Sequence, residues 1–159
     1  MNREQALASV KSEVSSQNLV KHMLATEAVM RGLAEKLGED PEEWGLAGLL
    51  HDIDLDRCGN DLSVHGKMSA DMARQYGVSE EICHAILCHG MLGEPRQTLM
   101  DKALYCGDPV TGLITAGALI RPEKKLGVVQ AKSILKRFKE KSFAAGANRE
   151  QIATCSEIG

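Results

Sequence analysis

The chain has 159 residues, of which 43% are apolar, 26% charged and only 3% aromatic, and its net charge is −3. This is the balance of a soluble globular chain of one-domain size, which excludes a collagen-like or disordered protein, and the core must be built from aliphatic side chains and methionine. A negative charge and scarce stacking aromatics give no nucleic-acid signature, so no nucleic-acid polymer is expected as a partner.

Helical signals follow one another from end to end, and no period-two strand pattern appears, so the chain reads as all-α. Leu19, Met23, Ala25, Val29, Leu33 and Leu37 space a long helix over 17–37, stopped by Gly38. Asp40, Pro41 and Glu43 supply a cap, a first-turn proline and an acidic capping partner for the next helix. That helix carries Trp44, Ala47 and Leu50 inward and ends on His51 and Asp52 in the run "GLAGLLHDIDLD". Residues 55–62, with Gly59 and Asn60, read as a loop, and Asp54 and Asp56 as loop carboxylates. A helix is expected from about Ser63 to Tyr76, and another from Ser79 to His89.

"TLMDKALYCGD" is expected to form a helix ending near Gly107, with Asp108-Pro109 starting a new one. In that reading Asp108 sits near an N-cap, and Thr111 with the free amides of the first turn faces an anion. "KKLGVVQAKSILKRFKEKSF" and "NREQIATC" complete the helices. Residues 1–120 hold 18 acidic and 10 basic side chains, whereas 121–141 hold 8 basic and 2 acidic. Such a run is most simply a solvated face. Its sharper reading is an anion-binding or oligomer-facing surface, with which a homo-oligomer is compatible. Lys132, Lys136 and Arg149 are then candidate contacts to an anionic substrate. One domain over 1–159 is expected, with 121–159 a basic helical extension packed on it.

Five cysteines, an odd number without CxxC spacing, read as reduced thiols. With no signal peptide and no long uncharged apolar run, a cytoplasmic protein without a membrane segment is expected. All five histidines precede residue 90. His22 shares a face with Leu19, Thr26, Val29 and Leu33 and so points inward. Imidazoles and carboxylates brought together from separate helices would suit a divalent transition metal such as iron, manganese, nickel or cobalt, with magnesium also compatible. His84 lies five residues before His89, about 140 degrees round the helix from it, and is taken as a surface or supporting residue. Glu27 and Arg31 read equally as a buried ion pair or as a supporting carboxylate with a phosphate-binding arginine.

His22, the doublet His51-Asp52 within "AGLLHDID", and Asp108 within "YCGD" resemble the HD-domain superfamily of metal-dependent phosphohydrolases. The resemblance implies a helical bundle with a metal at its centre, held by His22, His51, Asp52 and Asp108. "LSVHG" and "AILCHG" look like the further histidine motifs of two-metal members, in which His65 and His89 hold a second ion and Asp52 bridges the pair. It also implies hydrolysis of a nucleotide, dinucleotide or other small phosphorylated metabolite by metal-activated water, which Asp52 orients. Two alternatives share the ligands: a di-iron oxygenase and a non-catalytic nucleotide-sensing module. The family's commoner "HDIGK" is replaced here by "HDIDL", so its basic substrate contact is missing.

Overall fold

Caps written into the sequence set most helix boundaries in this computed structural model, which describes residues 1–59, 61–90 and 93–159. Nine α-helices and no strand occur among the described residues: α1 Arg3–Glu13, α2 Gln17–Leu37, α3 Pro41–Leu50, α4 Leu55–Cys58, α5 Lys67–Gln75, α6 Glu80–His89, α7 Leu99–Leu119, α8 Ala131–Phe138 and α9 Arg149–Ala153. The Ser16 side chain accepts from the Leu19 amide to start α2, and Gly38, at φ +78°, ends it in the left-handed conformation. Asp40 caps α3 through the Glu42 amide, with Pro41 at the first helical position as expected. Thr98 and Asp101 form the reciprocal capping box of α7.

Helices α2, α3, α6 and α7 enclose the core, where Met23, Met30, Leu49, Leu50, Ile53, Ile82, Ile86, Met100 and Leu104 are fully buried. Glycine lets α3 lie close against α2. A Cβ on Gly48 would stand 2.8 Å from the Thr26 carbonyl oxygen and 2.9 Å from the Glu27 amide nitrogen, both backbone atoms that cannot swing away. Buried Glu27 of α2 ties α1 to α2, accepting from Arg3 of α1 at 2.5 and 2.9 Å and from Arg31 of its own helix at 3.0 Å. Arg31 also makes a two-pronged pair with Glu42 of α3 at 2.6 and 2.9 Å.

Four sequence expectations change. Helix α7 runs unbroken from Leu99 to Leu119 with Pro109 in its interior, so Asp108 is mid-helix and no helix N-terminus faces an anion at Thr111. The ring nitrogen of Pro109 cannot donate, which leaves the Tyr105 carbonyl without its helical partner. The Gln151 side chain of α9 donates to that carbonyl instead, at 2.8 Å. Helix α5 starts at Lys67 rather than Ser63, because Ser63 turns locally onto Asp61 and Gly66 takes φ +82°. The expected loop after the doublet contains one helical turn, α4, while Asn60 lies outside the described residues. The basic stretch is helical only over α8, preceded by a 3-10 turn at Leu126–Val128.

The α2–α3 contact is testable. Gly48→Ala has to push two backbones apart, and a cost of about 1–3 kcal/mol is expected, as for other overpacked sites. Thermal denaturation should show a Tm several degrees below that of the wild type; an unchanged Tm would contradict the close contact.

Candidate metal centre

Five segments bring six side chains to one point. His22 comes from the first turns of α2, His51 caps the C-terminus of α3, and Asp52 follows it. The chain leaves α3 through tight turns, with Ile53 N–H donating to the Leu50 carbonyl at 3.2 Å and Leu55 N–H to the Asp52 carbonyl at 3.2 Å. These turns keep His51, Asp52, Ile53 and Asp54 buried in succession. His65 precedes α5, His89 is the last residue of α6, and Asp108 lies midway along α7.

The two oxygens of Asp52 face different histidines. Oδ2 lies 3.4 Å from His22 Nε2 and 3.3 Å from His51 Nε2. Oδ1 lies 3.5 Å from His65 Nε2 and 3.4 Å from His89 Nε2. Asp108 Oδ1 completes the first group, 3.0 Å from His22 Nε2 and 3.6 Å from His51 Nε2. His22 and His51 present their Nε2 atoms to each other at 3.2 Å.

Each imidazole has its other nitrogen tied off. His51 Nδ1 faces the Gly48 carbonyl at 2.8 Å and His89 Nδ1 the Ile86 carbonyl at 2.5 Å, and a carbonyl can only accept. His65 Nδ1 donates to Asp54 at 2.8 Å. Thr111 donates its one hydroxyl hydrogen to the Asp108 carbonyl at 2.8 Å, so it accepts from His22 Nδ1 at 3.0 Å. With the Nδ1 proton spent in all four, a neutral ring has only a lone pair at Nε2. Four lone pairs and two carboxylates therefore converge without a donor among them. His89 Nε2 is buried with no hydrogen-bond partner, a state that costs about 1–3 kcal/mol unless something electron-poor sits there.

The donor set fits divalent cations. Atoms held about 2.1 Å from one ion at right angles stand about 3 Å apart, close to the separations within each group. The first group offers His22, His51, Asp52 and Asp108, and the second His65, His89 and the other oxygen of Asp52. Nitrogen and oxygen donors without thiolate match the iron, manganese, nickel, cobalt or magnesium anticipated from the sequence.

Asp54 departs from its reading as a loop carboxylate. It is fully buried and accepts from His65 Nδ1, from Gly66 N–H at 3.0 Å and from Ser69 N–H at 3.1 Å, so it fixes the ring of His65. Asp56 is likewise not in a loop but in the single turn of α4, at the surface, where it accepts from the Ser15 amide. Thr111 sits beside the centre but is spent on His22 and Asp108, not on an anion at a helix end. Arg31 is taken up by Glu27 and Glu42. Arg149 donates to five backbone carbonyls, those of Phe138, Glu140, Phe143, Ala144 and Ala147. Lys132 and Lys136 are exposed on α8, and Lys136 lines a separate cavity of about 470 Å³ with Arg121 and Arg137. His84 is half-buried and paired with Asp101, the capping residue of α7, at 3.0 Å. No sequence signal distinguished Asp54, whose partners lie 11 to 15 residues further on.

A family model, that of the HD domain, matches residues 19–108, which begin just before His22 and end on Asp108. The chain belongs to the HD domain family. Membership places it in the superfamily of metal-dependent phosphohydrolases. Among curated relatives, ribonuclease Y of Nitratidesulfovibrio vulgaris strain DP4 is 33% identical over 97 residues, 61% of this chain and 18% of that protein. Ribonuclease Y of Oleidesulfovibrio alaskensis is 34% identical over 84 residues, 53% of this chain and 16% of that protein. Ribonuclease Y of Pseudothermotoga lettingae is 28% identical over 138 residues, 84% of this chain and 27% of that protein. The chain thus spans between about a sixth and a quarter of the length of these relatives. No described helix is long and apolar enough to cross a membrane.

Exposure shows where the HD centre opens. The side chains of His51, His89 and His65 are 0%, 3% and 13% exposed, whereas those of His22 and Asp108 are 28% and 24% exposed. A cleft of about 710 Å³ between α2, α7 and residues 144–147 ends on His22, and a smaller one of about 280 Å³ reaches both His22 and Asp108.

Charge across the centre predicts that metal binding depends on pH. Burial pulls the His51 imidazolium down, but Asp52 and Asp108 outweigh it and hold this group well above the usual histidine value. His22 and His65 are raised in the same way, by Asp108 with Asp52 and by Asp54 with Asp52, against burial. Burial pushes Asp108 up, yet the histidines hold it below the carboxylate range. In the metal-free protein the raised histidines contribute stability that is fully present below about pH 6.5 and lost as pH rises through their folded values. A cation displaces those protons, so its own stabilising effect should grow over the same interval. The Tm difference between manganese-loaded and chelator-treated protein should therefore widen from about pH 6 to pH 8; a difference independent of pH would contradict this.

Proposed function

We propose that this HD domain hydrolyses a phosphoester of a nucleotide, dinucleotide or other small phosphorylated metabolite. The observation that carries the reading is the split of Asp52 between two histidine pairs, beside the cleft that ends on His22. Divalent cations held there would supply Lewis acidity, ionising a water near neutral pH and polarising a phosphoryl oxygen. The chain's own residues do the positioning: Thr111 fixes the ring of His22, Asp54 that of His65, and the Gly48 and Ile86 carbonyls those of His51 and His89. In this reading Asp52 orients the nucleophile. Lys21, next to His22 and on the wall of the larger cleft, is a cation within reach of an entering phosphoester.

A second reading has an RNA substrate, since the curated relatives are named ribonuclease Y. The small-substrate reading is favoured by two features. Lys132 and Lys136 do not line either cleft that reaches His22, and the chain as a whole is acidic. An iron pair doing oxygen chemistry, or nucleotide binding without turnover, would use the same donors. A cytoplasmic setting and self-association are part of this proposal.

A phosphoester panel with manganese, iron, cobalt, nickel or magnesium tests the reading, with a single-stranded RNA oligonucleotide and an oxygen electrode run in parallel. The expected outcome is release of phosphate or a nucleotide from a small substrate, with kcat/KM reduced at least about a thousandfold in Asp52→Ala. Full turnover in that variant, RNA cleavage alone, or oxygen consumption without hydrolysis would each contradict it.

A further inference from the structure

We infer that the cleft between α2, α7 and residues 144–147 is the subsite for a nucleoside, the uncharged organic group of the substrate, with Thr115 as a specificity-determining residue on its wall. The inference rests on the reading of the centre as a phosphoester hydrolase. His22 belongs to both the metal centre and the cleft, so a molecule seated in the cleft touches the centre at its more exposed edge. The volume of about 710 Å³ suits a small-molecule site.

The lining specifies the occupant. Ala25, Gly112, Ala116 and Ala147 are small and apolar, and with Leu119 they give the cleft a mainly apolar wall against which a flat ring can lie. Asn18 and Thr115 add an amide and a hydroxyl, which together donate and accept hydrogen bonds. Among the described residues the lining carries no carboxylate, and it includes Lys21, the chain neighbour of His22. An apolar body with polar edges, joined to an anion at one end, is the chemistry of a nucleoside phosphate.

The wall is built rather than incidental. Residues 144–147 and the lining part of α7 both lie beyond the segment matched by the HD family, which ends at Asp108. Arg149 gathers five carbonyls between Phe138 and Ala147, and Gln151 fastens the following helix to the carbonyl that Pro109 leaves free. A wall held before the ligand arrives loses less freedom on binding. This gives Arg149 a positioning role in place of the direct substrate contact anticipated from the sequence.

The test uses binding, which needs no turnover. Adenosine, guanosine, cytidine and uridine, and separately inorganic phosphate, are titrated into manganese-loaded wild type and Thr115→Trp by calorimetry or ligand-observed NMR. Thr115 is exposed, so the larger side chain should enter the cleft without disturbing the core. Ala25→Leu, on the opposite wall, provides a second block. At least one nucleoside should bind the wild type, both variants should weaken it by about tenfold or more, and phosphate affinity and metal content should not change. No nucleoside binding below about 10 mM, or binding untouched by both variants, would overturn the subsite. Nucleoside binding lost in the variants but without hydrolysis of any phosphoester would leave the subsite standing and reject the hydrolase reading; hydrolysis without nucleoside binding would do the reverse.

Discussion

One carboxylate, that of Asp52, faces two pairs of imidazole nitrogens, and the rest of the structure is arranged to hold it there. Oδ2 looks toward His22 and His51 and Oδ1 toward His65 and His89, all within 3.3–3.5 Å. With every Nδ1 proton used elsewhere, the groups that meet at the centre can only accept. Burying acceptors against acceptors is unfavourable unless positive charge is supplied. Protons supply it in the metal-free protein and cations do so more completely, which is why raised histidines and lowered aspartates occur side by side.

The surrounding fold meets that constraint by short-range means. Gly48 brings α3 against α2, so that His51 and His22 can meet. The tight turns after Leu50 keep the doublet inside instead of letting the chain exit to solvent. Glu27 and its two arginines fix α1, α2 and α3 to one another on a different turn of the metal helix. Pro109, next to Asp108, removes a helical hydrogen bond, and the vacated carbonyl becomes the anchor for α9. Positioning of the centre and closure of the cleft beside it thus meet at neighbouring residues of one helix.

Much of this was legible in the sequence, for identifiable reasons. The apolar run before His51 and the cap at Asp40-Pro41 are local signals, and they foretold where α3 starts and what it delivers. The inward face of His22 followed from helical spacing. The all-α class and the HD family were legible too, from periodicity and from the doublet in its setting. What escaped was non-local or ambiguous. Asp54 looks like a solvated loop residue until the chain returns with His65, Gly66 and Ser69. Asp-Pro after glycine is a helix start by every local rule, and only packing on both sides carries α7 through it. Arg31 and Arg149 resemble anion-binding residues in sequence; the first is neutralised by two carboxylates and the second is surrounded by carbonyls of its own loop.

The most direct test of a shared carboxylate is metal stoichiometry. Elemental analysis of folded wild type, His89→Ala and Asp52→Ala, each reconstituted with manganese or iron and passed through desalting, separates the two groups of donors. About two equivalents per chain in the wild type, about one in His89→Ala and close to none in Asp52→Ala is the result the account predicts. Two equivalents retained in Asp52→Ala, or no metal taken up by the wild type, would contradict it.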